Sequence, residues 1–320
     1  MSEFLIIMEK GTTTEQTDRV LKAVRSDKGK VQQRYPPRII IGRDGEDVAA
    51  KLRALEGVSA VHTSPVENPE ALALDRAGLL TVRAWNLRHS DKYRSAKATR
   101  RIEGRGPLDR DVISSPAALG VAPTMTGSAA VGVVVVEGPP DTDAEFSSDE
   151  ETLVAAEVQE GIDKLTSLAP LTADLRFVSI VEKVTLLIHP DAVESEQGWL
   201  DGAMDKLGYA GIDAYLGHLH DSNRSAWEYI AFFTKYATRT FAYTPFLGAH
   251  YCVIQYPEDP MRHAGYSPTD MDQLFAHETG HICGAPHCGP DGDVTCLMSS
   301  NIDFHVCPTT ANFFGWKTEP

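Results

Sequence analysis

Apolar side chains recur along the chain with the periods of short strands and amphipathic helices. Within the first 65 residues, apolar runs predict four strands, at residues 4–8, 30–35, 38–42 and 58–62. Two helices are predicted between these strands, at residues 14–24 and 46–55. In the second helix, Val48, Leu52 and Leu55 share one face. The chain therefore begins with the order β-α-β-β-α-β.

This order of elements is that of a ferredoxin-like unit. The stretch KLRALEGVSAVHTSP joins a helix, a glycine turn and a last strand that leads to a proline. It resembles the propeptide and inhibitor domains of subtilisin-type proteases. The resemblance implies an N-terminal domain that acts as an intramolecular inhibitor or folding chaperone. An unrelated ferredoxin-like module is the alternative, because this fold hosts many functions.

The pattern weakens between residues 66 and 127. Residues 90–116 are basic, polar and poor in large apolar side chains, which predicts a connector or an extended pro-segment open to cleavage at its arginines. An ordered segment packed on the following domain is the alternative. The predicted domains are therefore residues 1–65, 66–127 and 128–320.

Longer apolar runs return in the C-terminal part. Four strands are predicted there, at residues 130–137, 175–180, 229–234 and 249–256. A long helix is predicted at residues 149–168, and another begins near Ser267, where a hydroxyl and acidic residues supply an N-terminal cap. The Gly-, Asp- and His-rich residues 191–226 predict a loop with one short helix.

The charge of the chain removes two classes of partner. A net charge of −15 argues against binding to nucleic acid or to an anionic membrane, since both favour clustered Lys and Arg. No apolar run approaches the roughly 20 residues that span a bilayer. Glu3 precedes a very short apolar run without a small-residue cleavage site, so no Sec-type signal peptide is predicted. Cytoplasmic residence is the default, with export by another route as the alternative.

The segment LFAHETGHICGAPHCG contains the residues with the clearest metal-site spacing. His277 and His281 are four residues apart, so on a helix they project from one face and can share one metal ion. Glu278 lies beside the first histidine, where its carboxylate can reach a metal-bound water. Gly284 can end the helix in a positive-φ conformation and return the chain so that His287 becomes a third ligand. Three ligands and an open fourth position describe a catalytic zinc site.

These five spaced residues form the pattern HExxHxxGxxH of the metzincin zinc metalloproteases, which residues 130–320 resemble. Met298, eleven residues after His287 in the polar turn TCLMSSN, is similar to the methionine of the metzincin Met-turn. The resemblance implies an α+β fold, with a twisted mixed sheet, a zinc-binding helix and a Met-turn, preceded by the small ferredoxin-like βαββαβ domain. It also implies a zinc endopeptidase with Glu278 as general base and acid.

The metzincin resemblance gives the strand before the zinc helix a role. In metzincins this strand forms the rim of the cleft and pairs with an extended substrate. In this chain that place is occupied by GAHYCVIQY, so the resemblance implies that the backbone of Gly248, Ala249, His250 and Tyr251 binds peptide by strand addition. A strand that binds no substrate is the alternative.

All five cysteines lie in the C-terminal part of the chain. Cys296 precedes Met298 by two residues, as in reprolysin-like and archaemetzincin domains, and Cys288 directly follows His287, as in archaemetzincins. The archaemetzincin pattern ends in a Cys-x-x-Cys pair that binds a second, structural zinc, whereas this chain has only Cys307. Two alternatives remain: a second metal site built from Cys288, Cys296 and Cys307 with His305 or Cys252, or disulfides such as Cys288–Cys296 and Cys252–Cys307. Cys283 is expected to be a small buried residue.

The sequence thus supports two hypotheses of different class. The first is a zinc-dependent endopeptidase that acts on peptides or proteins and is made as a latent precursor. The second is a zinc-bearing peptide-binding or regulatory protein without turnover. The presence of Glu278 favours the enzyme, because a binding protein needs no general base.

Overall fold

The structure is a computed structural model. It describes residues 2–26, 29–44, 48–99, 122–189, 192, 196–236, 238, 241–258, 265–288, 296–299 and 305–316. Residues 100–121 of the predicted connector lie outside these ranges. The boundaries predicted at residues 65 and 127 therefore stay a prediction.

One mixed sheet runs through the described residues. Its strands, in chain order, are β1 (Ser2–Met8), β2 (Lys30–Tyr35), β3 (Ile39–Asp44), β4 (Val58–His62), β5 (Ser128–Glu137), β6 (Arg176–Thr185), β7 (Trp227–Thr234), β8 (Ala242–Tyr243) and β9 (Tyr251–Gln255). Across the sheet the order is β4-β1-β3-β2-β6-β5-β7-β9-β8. Strands from the N-terminal and C-terminal parts of the chain therefore belong to the same sheet.

Helices cover both faces of this sheet. Those among the described residues are α1 (Thr14–Ser26), α2 (Val48–Leu52), α3 (Arg76–Arg88), α4 (Asp91–Ala98), α5 (Ser148–Leu168), α6 (Glu196–Leu207), α7 (Ile212–Asn223), α8 (Met271–Ile282) and α9 (Pro308–Phe313). None of these helices is long and apolar enough to cross a membrane.

The N-terminal strands pair antiparallel with one another, and β2 then pairs parallel with β6 through Gln33–Phe177 and Arg34–Val178. The elements of residues 2–62 follow the predicted order. They extend the large sheet, however, where the sequence predicts a separate small domain. The pattern could not indicate this, because a pairing between strands more than 140 residues apart leaves no local signal.

Buried polar side chains join the N-terminal strands to α5. The Gln33 amide donates a hydrogen bond to the Gln159 carbonyl at 2.8 Å, and Gln32 bonds Asp163. The guanidinium of Arg88, on α3, lies 3.0 Å from both the Glu3 and the Glu160 carboxylates. These groups lie away from water, so each depends on the others for its hydrogen bonds.

Residues 76–98, predicted as part of a connector, form the helices α3 and α4. Asp75 and Ser90 cap these helices by accepting hydrogen bonds from backbone N–H groups in their first turns. On α4, the Lys97 ammonium lies 2.7 Å from the Glu157 carboxylate and 2.7 Å from the Thr269 carbonyl. The ordered, packed alternative therefore describes residues 76–98, and it is the basic composition that misled the sequence prediction.

The centre of the sheet is β5, which has parallel neighbours on both sides and is buried on both faces. Val131, Val133 and Val135 pack with α5 and α8, whereas Val134 and Val136 pack with α6 and α7. Residues 196–223, predicted as a loop with one short helix, form two helices of 12 residues each. Their apolar side chains, such as Trp199 and Leu219, are spaced among Gly, Asp and His residues, which obscures the helical pattern.

Candidate metal centre

Helix α8 is buried along its whole length against α5 and the sheet. It follows a short 3₁₀ turn in which Ser267 and Asp270 form a reciprocal capping box. The helix ends where Gly284 adopts a φ of +79°. There the N–H of Gly284 bonds the His281 carbonyl at 2.9 Å and the N–H of Ala285 bonds the Gly280 carbonyl at 3.1 Å, which is a Schellman motif. Gly284 thus plays the predicted role of turning the chain.

This turn brings three imidazoles together. Nε2 of His277 lies 3.0 Å from Nε2 of His281 and 3.0 Å from Nε2 of His287, and the third distance, between His281 and His287, is 3.2 Å. His277 and His281 are 0% and 1% exposed, while His287 is half-buried. The predicted ligand set is therefore assembled with its nitrogens facing one another.

Hydrogen bonds to the backbone fix the tautomers of the two helical histidines. Nδ1 of His277 donates to the Leu297 carbonyl and Nδ1 of His281 donates to the Ala285 carbonyl, both at 2.7 Å. A neutral imidazole has one N–H, so Nε2 of each ring presents a lone pair. Metal-binding histidines have their outer nitrogens held in this way.

Both helical histidines are neutral near pH 7. Burial, together with the neighbouring His287, lowers the pKa of His277 to about 3, although the hydrogen bond to Leu297 opposes the shift. Burial and the other two rings also lower the pKa of His281 well below its usual range. The rings therefore do not repel a cation.

The arrangement fits a zinc ion. Two nitrogens that bind zinc tetrahedrally at about 2.0–2.1 Å lie roughly 3.3–3.4 Å apart, close to the 3.0–3.2 Å found here. The lone pairs of His277 and His281 face each other at 3.0 Å without a proton between them, and a cation would offset this repulsion. Three imidazoles would hold zinc and leave a fourth position for water or substrate.

The predicted Met-turn packs beneath the three histidines. It is a tight turn in which the Ser299 N–H bonds the Cys296 carbonyl at 2.8 Å, and Met298 is fully buried. The Leu297 carbonyl accepts a hydrogen bond from Nδ1 of His277. The Met298 carbonyl accepts one, at 2.7 Å, from the N–H of Cys288, the residue that follows His287 in the chain. The turn therefore contacts both the helix and the following segment that contain the histidines.

Gly280, which was not a predicted site residue, leaves room for the Met298 side chain. A Cβ on Gly280 would lie 2.3 Å from the sulphur of Met298, which is inside van der Waals contact. The signal was present, because a glycine inside a helix costs about 1 kcal/mol and usually has a packing reason. Gly280 allows α8 and the Met-turn to approach each other closely.

Glu278 is buried beside the first histidine, with 2% of its surface exposed. Its Oε2 accepts a hydrogen bond from the hydroxyl of Thr244 at 2.8 Å. Thr244 follows β8 and was not a predicted site residue. The carboxylate therefore has a fixed donor on one oxygen.

The residues predicted to bind substrate occupy the loop before β9 and its first position. The N–H of Gly248 donates to the His281 carbonyl at 2.9 Å, and the His250 carbonyl accepts from Ile230 at 3.0 Å. Strand β9 pairs with β7 on one side and, at Val253 and Ile254, with β8 on the other. The terminal strand on this side of the sheet is therefore β8, which the prediction missed because it has only two residues.

The cysteines divide into a cluster and two separate residues. Sulphurs of Cys288, Cys296 and Cys307 lie within 4.8 Å of one another, and those of Cys288 and Cys307 are 3.7 Å apart. Cys252 lies on β9 outside this cluster, and Cys283 is buried at the end of α8. All five thiols are free, so neither Cys288–Cys296 nor Cys252–Cys307 forms a disulfide in this structure.

The hydroxyl of Thr310 lies at the centre of the cysteine cluster. Its distances to the sulphurs of Cys288, Cys296 and Cys307 are 3.6, 3.2 and 3.3 Å. Burial raises the pKa of Cys307, but hydrogen bonds with Thr310, Cys296 and Cys288 outweigh this effect and the net shift is downward, whereas burial and the neighbouring thiols raise the pKa of Cys288 to about 12. A thiol with a lowered pKa is a better metal ligand, because metals bind the thiolate.

No protein-family profile and no curated protein matches the chain. Among solved structures, metalloproteinase-II from Bacteroides fragilis is similar with a TM-score of 0.35 and 13% identity over 69% of this chain, which spans only 59% of that protein. An archaemetzincin from Methanopyrus kandleri is similar with a TM-score of 0.32 and 14% identity, and the match covers 58% of this chain and 93% of the archaemetzincin. An archaemetzincin from Archaeoglobus fulgidus is similar with a TM-score of 0.29 and 10% identity, and the match covers 57% of this chain and 99% of that archaemetzincin. With scores and identities this low, the function must be argued from the chain's own residues.

Proposed function

We propose that the protein is a zinc-dependent endopeptidase of the metzincin type. The observation that carries this proposal is the convergence of three imidazole nitrogens, 3.0–3.2 Å apart, beside the buried carboxylate of Glu278. His277, His281 and His287 would hold the ion through their Nε2 atoms. When bound, zinc supplies a Lewis acid for the scissile carbonyl and lowers the pKa of a coordinated water to about 7.

Glu278 performs the proton transfers in this proposal. Its carboxylate accepts a proton from the attacking water and then donates it to the departing amine. The Thr244 hydroxyl donates to Oε2 and so restricts the orientation of the carboxylate. The burial of Glu278 limits competing bulk water and strengthens its electrostatic interactions.

The peptide is proposed to bind along Gly248, Ala249, His250 and Tyr251, at the start of β9, as the sequence predicts. Strand β8 pairs with β9 only at Val253 and Ile254, so residues 248–251 lie outside that pairing, and His250 is exposed. Gly248 and His250 remain near the site through the loop that contacts the His281 carbonyl. This places the substrate backbone and the proposed general base on adjoining segments.

A second zinc is proposed at Cys288, Cys296 and Cys307, with the Thr310 hydroxyl as the fourth ligand. Sulphurs around tetrahedral zinc lie about 3.8 Å apart, and a sulphur and an oxygen lie about 3.6 Å apart. The 3.7 Å between two of the sulphurs and the 3.2–3.6 Å from Thr310 support this assignment over a disulfide. Such a site would brace the segment after His287.

The N-terminal unit is proposed to be ferredoxin-like and to act as an intramolecular chaperone for the sheet. Its strand order β4-β1-β3-β2 and its buried contacts with α5 support a role in folding. Inhibition of the site by this unit, synthesis as a latent precursor and residence in the cytoplasm stay predictions. Intact-mass analysis tests latency: a precursor is cut between residues 94 and 127 on activation, whereas an active, uncut chain contradicts it.

The endopeptidase proposal is tested with a mixed peptide library and zinc-loaded protein. The wild type should cleave peptides, and a zinc chelator should abolish cleavage. Glu278→Gln should retain its zinc and lose activity, while Glu228→Gln, on the distant strand β7, should remain active. A wild type that binds zinc and cleaves nothing, even after its chain has been cut between residues 94 and 127, would favour the binding protein without turnover. An active Glu278→Gln would remove the general-base role.

A further inference from the structure

Thr244 links the terminal strand of the sheet to the metal-site helix. It comes directly after β8, and its side chain is 1% exposed. Its hydroxyl lies 2.8 Å from Oε2 of Glu278 and 3.2 Å from the backbone carbonyl of the same residue. A single residue outside α8 therefore contacts both the side chain and the backbone of Glu278.

The hydroxyl has one proton for these two acceptors. An ionised carboxylate is the stronger acceptor, and the distance to Oε2 is the shorter of the two. The proton is therefore assigned to Oε2, and the carbonyl makes a weaker, secondary contact. This bond compensates in part for removing the carboxylate from water and opposes rotation of the carboxylate about its last bond.

We infer that Thr244 is a positioning residue that orients the Glu278 carboxylate for proton transfer. The inference rests on the proposed function, since it assigns a role within that reaction. Thr244 binds Oε2 and thereby limits the orientations in which the carboxylate can exchange a proton. Because Thr244 directly follows Tyr243, the terminal strand on this side of the sheet and the residue that orients the carboxylate are consecutive in the chain.

Three variants separate positioning from packing. Thr244→Val keeps the shape and removes the hydroxyl, Thr244→Ser keeps the hydroxyl, and Thr81→Val removes a buried hydroxyl on α3 that bonds only within its helix. We expect Thr244→Val to lower kcat by about tenfold to a hundredfold with KM and zinc content unchanged, because orientation is lost and binding is not. Thr244→Ser should restore kcat to within about threefold of wild type, and Thr81→Val should leave it unchanged.

A second readout does not depend on activity. Crystal structures of the zinc-free variants should show the Glu278 carboxylate rotated in Thr244→Val and unmoved in Thr244→Ser. If Thr244→Val fails to fold, Thr244→Ala takes its place with the same expectations.

Unchanged kcat and an unmoved carboxylate in Thr244→Val would overturn the inference, as would equal losses of zinc and activity in the Val and Ser variants. If the wild type cleaves no peptide even after its chain has been cut between residues 94 and 127, the proposed function fails. The carboxylate orientation in the zinc-free crystals then still decides whether Thr244 positions Glu278.

Discussion

Gly280 and Met298 are in direct contact, so closely that a Cβ on the glycine would lie 2.3 Å from the methionine sulphur. The same added carbon would lie 3.3 Å from the Phe314 ring. This contact joins the helix that contains His277 and His281 to the turn whose Leu297 carbonyl orients His277. The geometry of the three histidines therefore depends on a glycine that is not itself a ligand.

Gly280→Ala should destabilise the protein and weaken its affinity for zinc. The overpacked methyl costs about 1–3 kcal/mol, which outweighs the gain of at most about 1 kcal/mol in helix propensity. Gly217→Ala is the matched control, because Gly217 lies inside α7 and a Cβ there meets no atom within 4 Å. Urea unfolding should give a lower free energy of unfolding for Gly280→Ala and an equal or higher one for Gly217→Ala. An equal increase in the free energy of unfolding of both variants would contradict the packing argument.

The zinc-free protein should lose stability as the pH falls below about 6.5. The pKa of His277 is about 3 in the folded state and near 6.5 when unfolded, so the unfolded state binds more protons between these values. The contribution of neutral His277 to the free energy of unfolding is fully present above pH 6.5 and is lost as the pH falls toward 3. Between pH 7.5 and pH 5, His277 alone should account for about 2 kcal/mol. Urea unfolding across this range should show a shallower pH dependence in His277→Gln, and identical slopes would exclude the effect.

Zinc stoichiometry should distinguish the two candidate sites. We expect two zinc ions per wild-type chain, and one after either His281→Ala or Cys307→Ser, because each removes a ligand of one site only. Cys283→Ser is the control, since this buried thiol lies outside the cysteine cluster. Elemental analysis after dialysis measures the content. A wild type with one zinc that Cys307→Ser does not change would remove the second site.

Arg88→Met should strongly destabilise the packing of the N-terminal strands against the rest of the protein. Arg88 is buried between Glu3, Glu160 and Asp163, and its loss leaves carboxylates buried without their cation. Burial opposes ionisation of Glu160, but the charge of Arg88 outweighs it and holds the pKa of Glu160 at about 2. We expect a loss of about 3–5 kcal/mol in urea unfolding. Arg19→Met, which breaks the exposed pair with Glu56, should cost less than about 1 kcal/mol, and similar losses in both would contradict the argument.

The metal centre was the most predictable part of this molecule, because its geometry is local. Two histidines one helical turn apart, followed by Gly284 and His287, need only a helix and a Schellman turn to meet. Helices α3 and α4 were also within reach of the sequence, since Asp75 and Ser90 are ordinary N-cap residues. The basic composition of the following residues concealed them.

Other features depend on contacts that are distant in sequence. The pairing of β2 with β6, the hydrogen bond from Thr244 to Glu278 and the gathering of three cysteines around Thr310 have no local pattern. The two-residue strand β8 is too short for alternation to be detected.

The joining of β2 to β6 also bears on self-association. A strand at the border of a sheet offers unpaired N–H and carbonyl groups to any extended chain, including another copy of the same protein. The N-terminal residues pair with β6 along part of its length, and the sheet within the described residues terminates at β4 and β8. Their presence covers β6 at Phe177 and Val178 and moves this border of the sheet to β4, so a second copy that joins the sheet on this side would meet β4 in place of those two apolar residues.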